Sequence, residues 1–328
     1  MRIFPYARTF ARIMAAAAFS VGLAAHASES YPKDPINFIV GYAPGGPMDT
    51  VARLLAETVR DPLNVPVLVE NRAGAAGSIA ADYVARTKPD GYTVLLTSLN
   101  HITNAVLSSA QKFDTESAFS PVAIVASAPH VLVVPAASPI ASYEDFLAKL
   151  QNEPGKVTVS NSGAGGSPHL IAELYQMKTG TSFLHIPYKG AAPAVTDLLG
   201  NHVDASFQTL GSVRAQIDAG QLRALAVASD TRSIFLPDTP TFAELGIDGL
   251  SLDSWYGALL PANVPEPVLK RLHEAVAAAV QDPAFQEKIQ AAGMQIVTDS
   301  NPDNYRQRIS DEIALVRSVA EAANIQPN

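Results

Sequence analysis

Residues 36–50 read INFIVGYAPGGPMDT, and residues 158–170 read TVSNSGAGGSPHL. Each stretch starts with a short apolar run that reads as a strand, turns through glycines and enters a helical pattern. A strand, a tight turn and a helix N-terminus make an anion cradle, because the first helical N–H groups have no intrahelical partner. Neither loop contains Lys or Arg. An anion held there would rest on backbone amides and hydroxyls, which suits a small carboxylate bound reversibly. One such loop is equally well explained by glycines permitting a sharp turn. Two of them, a domain's length apart, point to a cleft between two lobes.

Working outward, the N-terminus has Arg2, Arg8 and Arg12 without an acidic residue, an apolar stretch at 13–23, and Ala25-His26-Ala27. That is the pattern of a secretory signal peptide over 1–27, too short for a membrane span. The mature chain is then expected to begin near Ser28, in a periplasm-like space. Cysteine is absent, which excludes disulfides, thiolate metal sites and a lipid-modified Cys. The whole chain carries 31 acidic against 23 basic side chains, and three of the basic ones lie in the leader. Such an acidic protein is a poor match for nucleic acid or anionic lipid. Its 328 residues, 48% hydrophobic and 16% charged, describe an ordinary globular chain large enough for two lobes.

The pattern alternates strand and helix nearly throughout. Strands are expected at 37–41, 67–70, 92–97, 122–125, 131–134, 156–160, 183–186, 205–208 and 224–227. Helices are expected at 49–59, 78–85, 143–150 (capped by Ser142), from the second loop to 176, and at 194–199, 213–219, 266–280, 283–292 and 303–323. This predicts an α/β fold with parallel or mixed sheets covered on both faces. No linker divides the chain. The expected arrangement is an inserted lobe, with lobe 1 formed by 28–125 and 228–328 and lobe 2 by 126–227. The chain would cross near 123–127 and return near 227–230.

The runs YPKDPINFIVGYAPGGPMDTVARLLAETV (31–59), VENRAGAAGSIAADYVARTKPDGYTVLLTS (69–98) and FLHIPYKGAAPAVTDLLGNHVDASF (183–207) carry a resemblance. So do LRALAVASDTRSIFLPDTPTFAELGI (222–247) and SWYGALLPANVPEPVLKRLHEAV (254–276). Together they resemble the Bug-type extracytoplasmic solute receptors, the substrate-binding proteins of tripartite tricarboxylate transporters. The resemblance runs from Tyr31 to about residue 323. It implies a periplasmic binding protein of type II, whose two α/β lobes grip a carboxylate between one loop from each.

By position, the resemblance implies that Tyr42, Ala43, Pro44, Gly45 and Gly46 form the first pincer. Pro47 departs from the family's small residue there and removes one backbone donor. Asp49 is read as the N-cap of the following helix, with a direct ligand role as the lesser alternative. Ser98 and His101 follow the third strand, where the family lines the cleft floor. Ser162, Gly163, Ala164, Gly165, Ser167 and His169 match the second pincer. Tyr188 sits at the next strand-to-helix turn, beside Lys189. Gln208 stands where many relatives carry Asp, and this argues against an amino-acid ligand.

Catalytic patterns are weak. Gly165-Gly166-Ser167-Pro168-His169 lacks the closing glycine of a nucleophile elbow, and the first loop lacks the Gly-Lys-Ser/Thr of a P-loop. The seven histidines include no i, i+4 histidine pair and no metal spacing; His130, His185, His202 and His273 read as turn or core residues. Trp255 and Tyr256 suit either an aromatic ligand or the core. The expected protein is a monomeric receptor and not an enzyme, without metal or cofactor. It would take a small organic carboxylate (tricarboxylate, dicarboxylate or aromatic acid) and present it to a membrane permease. A secreted hydrolase and an orphan envelope or sensory receptor are the alternatives.

Overall fold

The computed structural model describes residues 31–109, 111–161, 166–188, 190–322 and 325. The expected leader and four second-pincer residues, Ser162, Gly163, Ala164 and Gly165, therefore lie outside the described residues, as does Lys189.

In chain order the first part contains β1 (Ile36–Val40), α1 (Pro47–Leu63), β2 (Val67–Asn71), α2 (Ser78–Ala85), β3 (Thr93–Ser98), α3 (Asn100–Leu107) and β4 (Phe119–Ala128). There follow β5 (His130–Pro135), α4 (Tyr143–Asn152), β6 (Thr158–Asn161), α5 (Ser167–Thr179), β7 (Leu184–Pro187), α6 (Ala191–Leu199), β8 (Ala205–Thr209), α7 (Arg214–Asp218) and β9 (Leu222–Ala228). The last part is β10 (Ser254–Pro261), α8 (Glu266–Gln281), α9 (Pro283–Ala291), β11 (Gln295–Ile296) and α10 (Pro302–Ala322).

The strands form two sheets, ordered β11-β4-β10-β3-β1-β2 and β7-β6-β8-β5-β9. Each is mixed. The pairs β1–β2, β1–β3, β6–β7 and β6–β8 are parallel, while β10, β11, β5 and β9 pair antiparallel. The two glycine loops leave the carboxyl ends of β1 and β6, both flanked by parallel neighbours. That is where open α/β sheets present their ligand crevices. The result is the two-lobed α/β architecture that the sequence predicts.

Local sequence explains much of this. In α1, Val51, Leu55, Val59 and Leu63 recur at helical spacing and are buried, and Asn64 closes the helix in the left-handed conformation. Ser142 caps α4 with a reciprocal capping box: its Oγ accepts from the Asp145 N–H while Asp145 accepts from the Ser142 N–H. One apolar cluster runs through both lobes, joining Leu95 and Leu259 of the first sheet to Leu132, Val159 and Phe207 of the second. The last helix, α10, packs on β4 and α3 and reaches α5. Trp255 belongs to this core. It is fully buried, its Nε1–H donates to Glu312 Oε2 at 2.7 Å, and its ring meets Tyr305 edge-on at 5.3 Å.

The change of sheet falls at Pro129, because Ala128 still pairs with Ser254 of β10 in the first sheet. After β9 the chain remains beside the second sheet: Thr241 bridges Val227, and the Phe242 ring lies 5.6 Å from that of Tyr175. The first sheet resumes only at Ser254. Three elements were not expected from the sequence. These are α3, the two-residue β11 and the central antiparallel strand β10.

Candidate functional site

A cavity of about 620 Å³ lies between the two sheets. From the first lobe it is lined by Tyr42, Ala43, Pro44, Gly45, Gly46, Pro47 and Met48, and by Ser98, Leu99 and Asn100 at the end of β3. Gly166, Ser167, Pro168 and Thr209 line it from the second, and Ser254 and Tyr256 of β10 complete it. None of these described lining residues carries Asp, Glu, Lys, Arg or His. The two walls are alike: α1 starts after an N-cap Gly46 with Pro47 in its first turn, and α5 after an N-cap Gly166 with Pro168 in its first turn. Two helix N-termini thus meet at one cavity, and their fields add there.

Asp49 is not the N-cap of α1; that position is Gly46, since the proline lets the helix start a turn earlier. Asp49 sits three residues into the helix and is 3% exposed. Its carboxylate accepts from the Gly45 N–H at 2.9 Å, Arg53 Nε at 2.9 Å and Asn71 Nδ2 at 2.9 Å. Arg53, with help from the Gly45 and Asn71 donors, outweighs the effect of burial and holds this carboxyl at about 2. Asn71 also donates to the Tyr42 carbonyl at 3.0 Å. Asp49 is therefore the frame behind the loop, and it occupies the Gly45 amide.

Tyr42 turns its hydroxyl to Ser98 Oγ, 2.9 Å away. Its ring packs near Gly77, part of a short segment in which Gly74, Ala75, Ala76 and Gly77 all have positive φ. Two successive left-handed alanines are unusual for residues bearing a Cβ. Asn104 Nδ2 donates to the Ala76 carbonyl at 3.0 Å and helps hold that segment.

On the opposite wall, Ser167 Oγ lies 2.9 Å from His130 Nε2 and 3.2 Å from Ser254 Oγ. His130 Nδ1 lies 2.7 Å from the Leu252 carbonyl. Burial pushes this imidazole down to about 4, only partly opposed by that carbonyl. The ring is therefore neutral at pH 7. A carbonyl can only accept, so Nδ1 carries the proton, Nε2 accepts from Ser167, and the Ser254 hydroxyl donates to Ser167. Ser167 and Ser254 belong to different lobes, so this chain of hydroxyls crosses the base of the cleft. The sequence reading assigned His130 to the core, and its partnership with Ser167 was missed.

Several expected positions lie elsewhere. His169 points to Glu173 and His185 instead of lining the cavity. The Tyr188 hydroxyl donates to Asp197 Oδ2 at 2.6 Å, away from the lining residues. Gln208 is fully buried and donates to Ser206 Oγ at 2.9 Å; its neighbour Thr209 is the residue that reaches the cavity. His101 is buried against Phe119, ring centroids 5.0 Å apart, and does not form the floor. Asn100 sits within the segment that the sequence marked between Ser98 and His101, whereas Thr209 and Ser254 had no signal in the sequence, since only the pairing of distant strands brings them there.

The fold and cleft are those of a solute-binding protein, and comparison with known proteins gives the family. Residues 51–325 match the tripartite tricarboxylate transporter family receptor. The chain belongs to this family, whose members are periplasmic solute-binding receptors. It is 37% identical to protein BugT of Bordetella pertussis over 297 residues, which is 90% of this chain and 91% of that one. Two solved structures from Rhodopseudomonas palustris are also similar. One, Rpa4515 with adipate, is 29% identical with a TM-score of 0.76 and covers 91% of this chain and 100% of its own. The other, MatC with bound malate, is 26% identical with a TM-score of 0.71 and covers 88% and 99%.

Proposed function

We propose that this receptor captures a small organic carboxylate between its lobes in the periplasm and presents it to a membrane permease of the tripartite tricarboxylate type. The observation that carries this reading is the convergence of two glycine-capped helix N-termini on one cavity whose described lining is uncharged. Unpaired helical amides and their dipoles favour an anion there without a fixed counter-ion. The adipate and malate bound by the two relatives are acids of this kind. Tyr42, Ala43, Pro44, Gly45, Gly46 and Ser98 would form one grip. Ser167 would form the other, together with the turn at Ser162, Gly163, Ala164 and Gly165.

Residues 1–27 would direct export, and the mature chain would act as a monomer. Lobe 1 is proposed as 28–125 with 228–328 and lobe 2 as 126–227, refined by the sheet change at Pro129 and the return at Ser254. Closure would follow from the ligand's differential affinity for the closed form, in which it touches both walls.

The rival hydrolase reading meets a Ser–His pair, but an unfavourable one. The buried His130 is a weak base at about 4, and the Leu252 carbonyl offers no negative charge to an imidazolium. The proposed role of the pair is to fix Ser167.

The test is calorimetry and thermal shift across mono-, di- and tricarboxylates, each paired with its amide or methyl ester. Stabilisation confined to free acids, about 2.7 kcal/mol at a hundredfold excess over Kd, is the expected result. Equal stabilisation by the neutral derivatives would overturn the carboxylate reading. Turnover of simple esters that Ser167→Ala abolishes would overturn the non-enzymatic one.

A further inference from the structure

Outside the cleft, α5 carries His169 and Glu173 four residues apart, so both side chains share one face. His185, in β7, lies against them. His169 Nε2 is 3.3 Å and His185 Nε2 is 2.9 Å from Glu173 Oε1, and the three donor atoms all lie within 4.8 Å of one another. The two imidazoles stand edge to face at 4.9 Å between centroids. All three side chains are mostly buried, at 13%, 15% and 18% exposure for His169, Glu173 and His185, yet each stays open to water. Ligand bonds of about 2.0–2.2 Å in a tetrahedral site set donor atoms about 3.3 Å apart, close to the two nitrogen-to-carboxylate distances here.

Gln176 sharpens the point. Its Nε2 is 2.9 Å from Glu173 Oε2 and 2.9 Å from His185 Nε2, and its Oε1 is fixed by the Phe183 N–H at 2.8 Å. His185 Nε2 therefore faces an amide donor and a carboxylate acceptor at once. A proton on it would oppose Gln176, whereas a lone pair would oppose Glu173. A cation between the imidazoles and the carboxylate would take the single His185 Nε2 lone pair in place of the Gln176 amide, so that nitrogen and carboxylate oxygen would both face the ion. Gln176 would continue to hold the outer carboxylate oxygen, the usual orienting role behind a metal ligand.

We propose that His169 Nε2, Glu173 Oε1 and His185 Nε2 bind one divalent transition-metal ion of the zinc type, with water completing the coordination. Two imidazoles and one carboxylate suit zinc, and disfavour magnesium and calcium, which prefer all-oxygen shells. The ion would tie the first turn of α5 to β7. Ser167 and Pro168, just ahead of His169, line the cavity, so the metal would brace one wall of the cleft without entering it. This inference does not depend on which solute the cleft holds.

The test uses tag-free mature protein stripped with a chelator and titrated with Zn2+ by calorimetry and against a chromophoric competitor. One equivalent should bind with a Kd of about 1 µM or tighter, undisturbed by a large excess of Mg2+. His169→Gln, Glu173→Gln and His185→Gln should each weaken binding by about tenfold or more, as loss of a ligand demands. His202→Gln, whose ring is exposed beside Asp197, should leave the affinity unchanged. Co2+ added to the unmodified protein gives a readout that needs no variant: intense visible bands of a four-coordinate ion at one equivalent. Absence of stoichiometric Zn2+ binding, equal affinity in the three variants, or a Co2+ spectrum like that of the hydrated ion would overturn the assignment.

Discussion

The Asp49 carboxylate accepts the Gly45 amide at 2.9 Å, so a helix side chain reaches back and occupies a donor of the very loop that the sequence marks as a cradle. What remains on this wall are the first-turn amides of α1 after Pro47, and their aim depends on Asp49 and Asn71.

Asp49 should therefore govern the acid limb of stability. Its folded value, about 2, lies below the ordinary 3.8, so the unfolded chain binds more protons between these limits. Stability from this group is fully present above about 3.8 and is lost as pH falls through about 2. Asp49→Asn should be less stable than the parent at pH 7, with a gap that shrinks steadily below pH 4. Urea denaturation midpoints across pH check this, and a constant gap would refute it.

Glycines 41 and 45 should fail for different reasons. A Cβ on Gly41 would lie 2.7 Å from the Gly77 Cα, where backbone must move. Gly45 has open space but a φ of +82°. Gly45→Ala should cost about 1–2 kcal/mol through its left-handed backbone. Gly41→Ala should cost more, by overpacking, and should disturb the Tyr42–Ser98 contact. Denaturant melts of both variants decide it; a Gly41→Ala protein as stable as the parent would contradict the packing account.

Ser167→Ala leaves His130 Nε2 buried without its donor, at a cost of about 1–3 kcal/mol. Ser254→Ala removes only the outer hydroxyl and should cost less. Both should weaken carboxylate binding with the fold intact, as circular dichroism and calorimetry would record. Unchanged stability in Ser167→Ala would deny the His130 contact.

Ligand should compact the protein. Small-angle scattering at saturation should show a smaller radius of gyration, because only the closed form lets one anion meet both walls. The same profile with and without a ligand shown to bind would exclude closure. Trp255 should not be quenched by the ligand directly, since it is sealed in the core against Glu312. Glu312→Ala, which orphans the indole N–H, should instead destabilise by about 1–3 kcal/mol.

The parts of this protein that local chemistry determines were legible. Glycine turns after apolar strands, the helical repeat of α1 and the Ser142 cap are all written within a dozen residues. The contacts that hold the site's side chains from behind were not. Ser167 meets His130 across 37 residues and Ser254 across 87. Glu173 meets His185 only because β7 folds back along α5. β10 eluded the reading because it lies antiparallel between β3 and β4, and its neighbours come from elsewhere in the chain. Asp49 was placed one turn too early because Pro47 extends the helix backward.

The uncharged lining that the described residues give the cleft has an evolutionary consequence. If backbone amides supply the attraction for an acid, that attraction is inherited with the fold and survives most side-chain replacement. Asn100 and Thr209 are then free to vary as a dial on size and hydroxylation. A duplicated gene could acquire a new nutrient through a few neutral-to-neutral exchanges, with no intermediate that has lost its grip on carboxylates altogether.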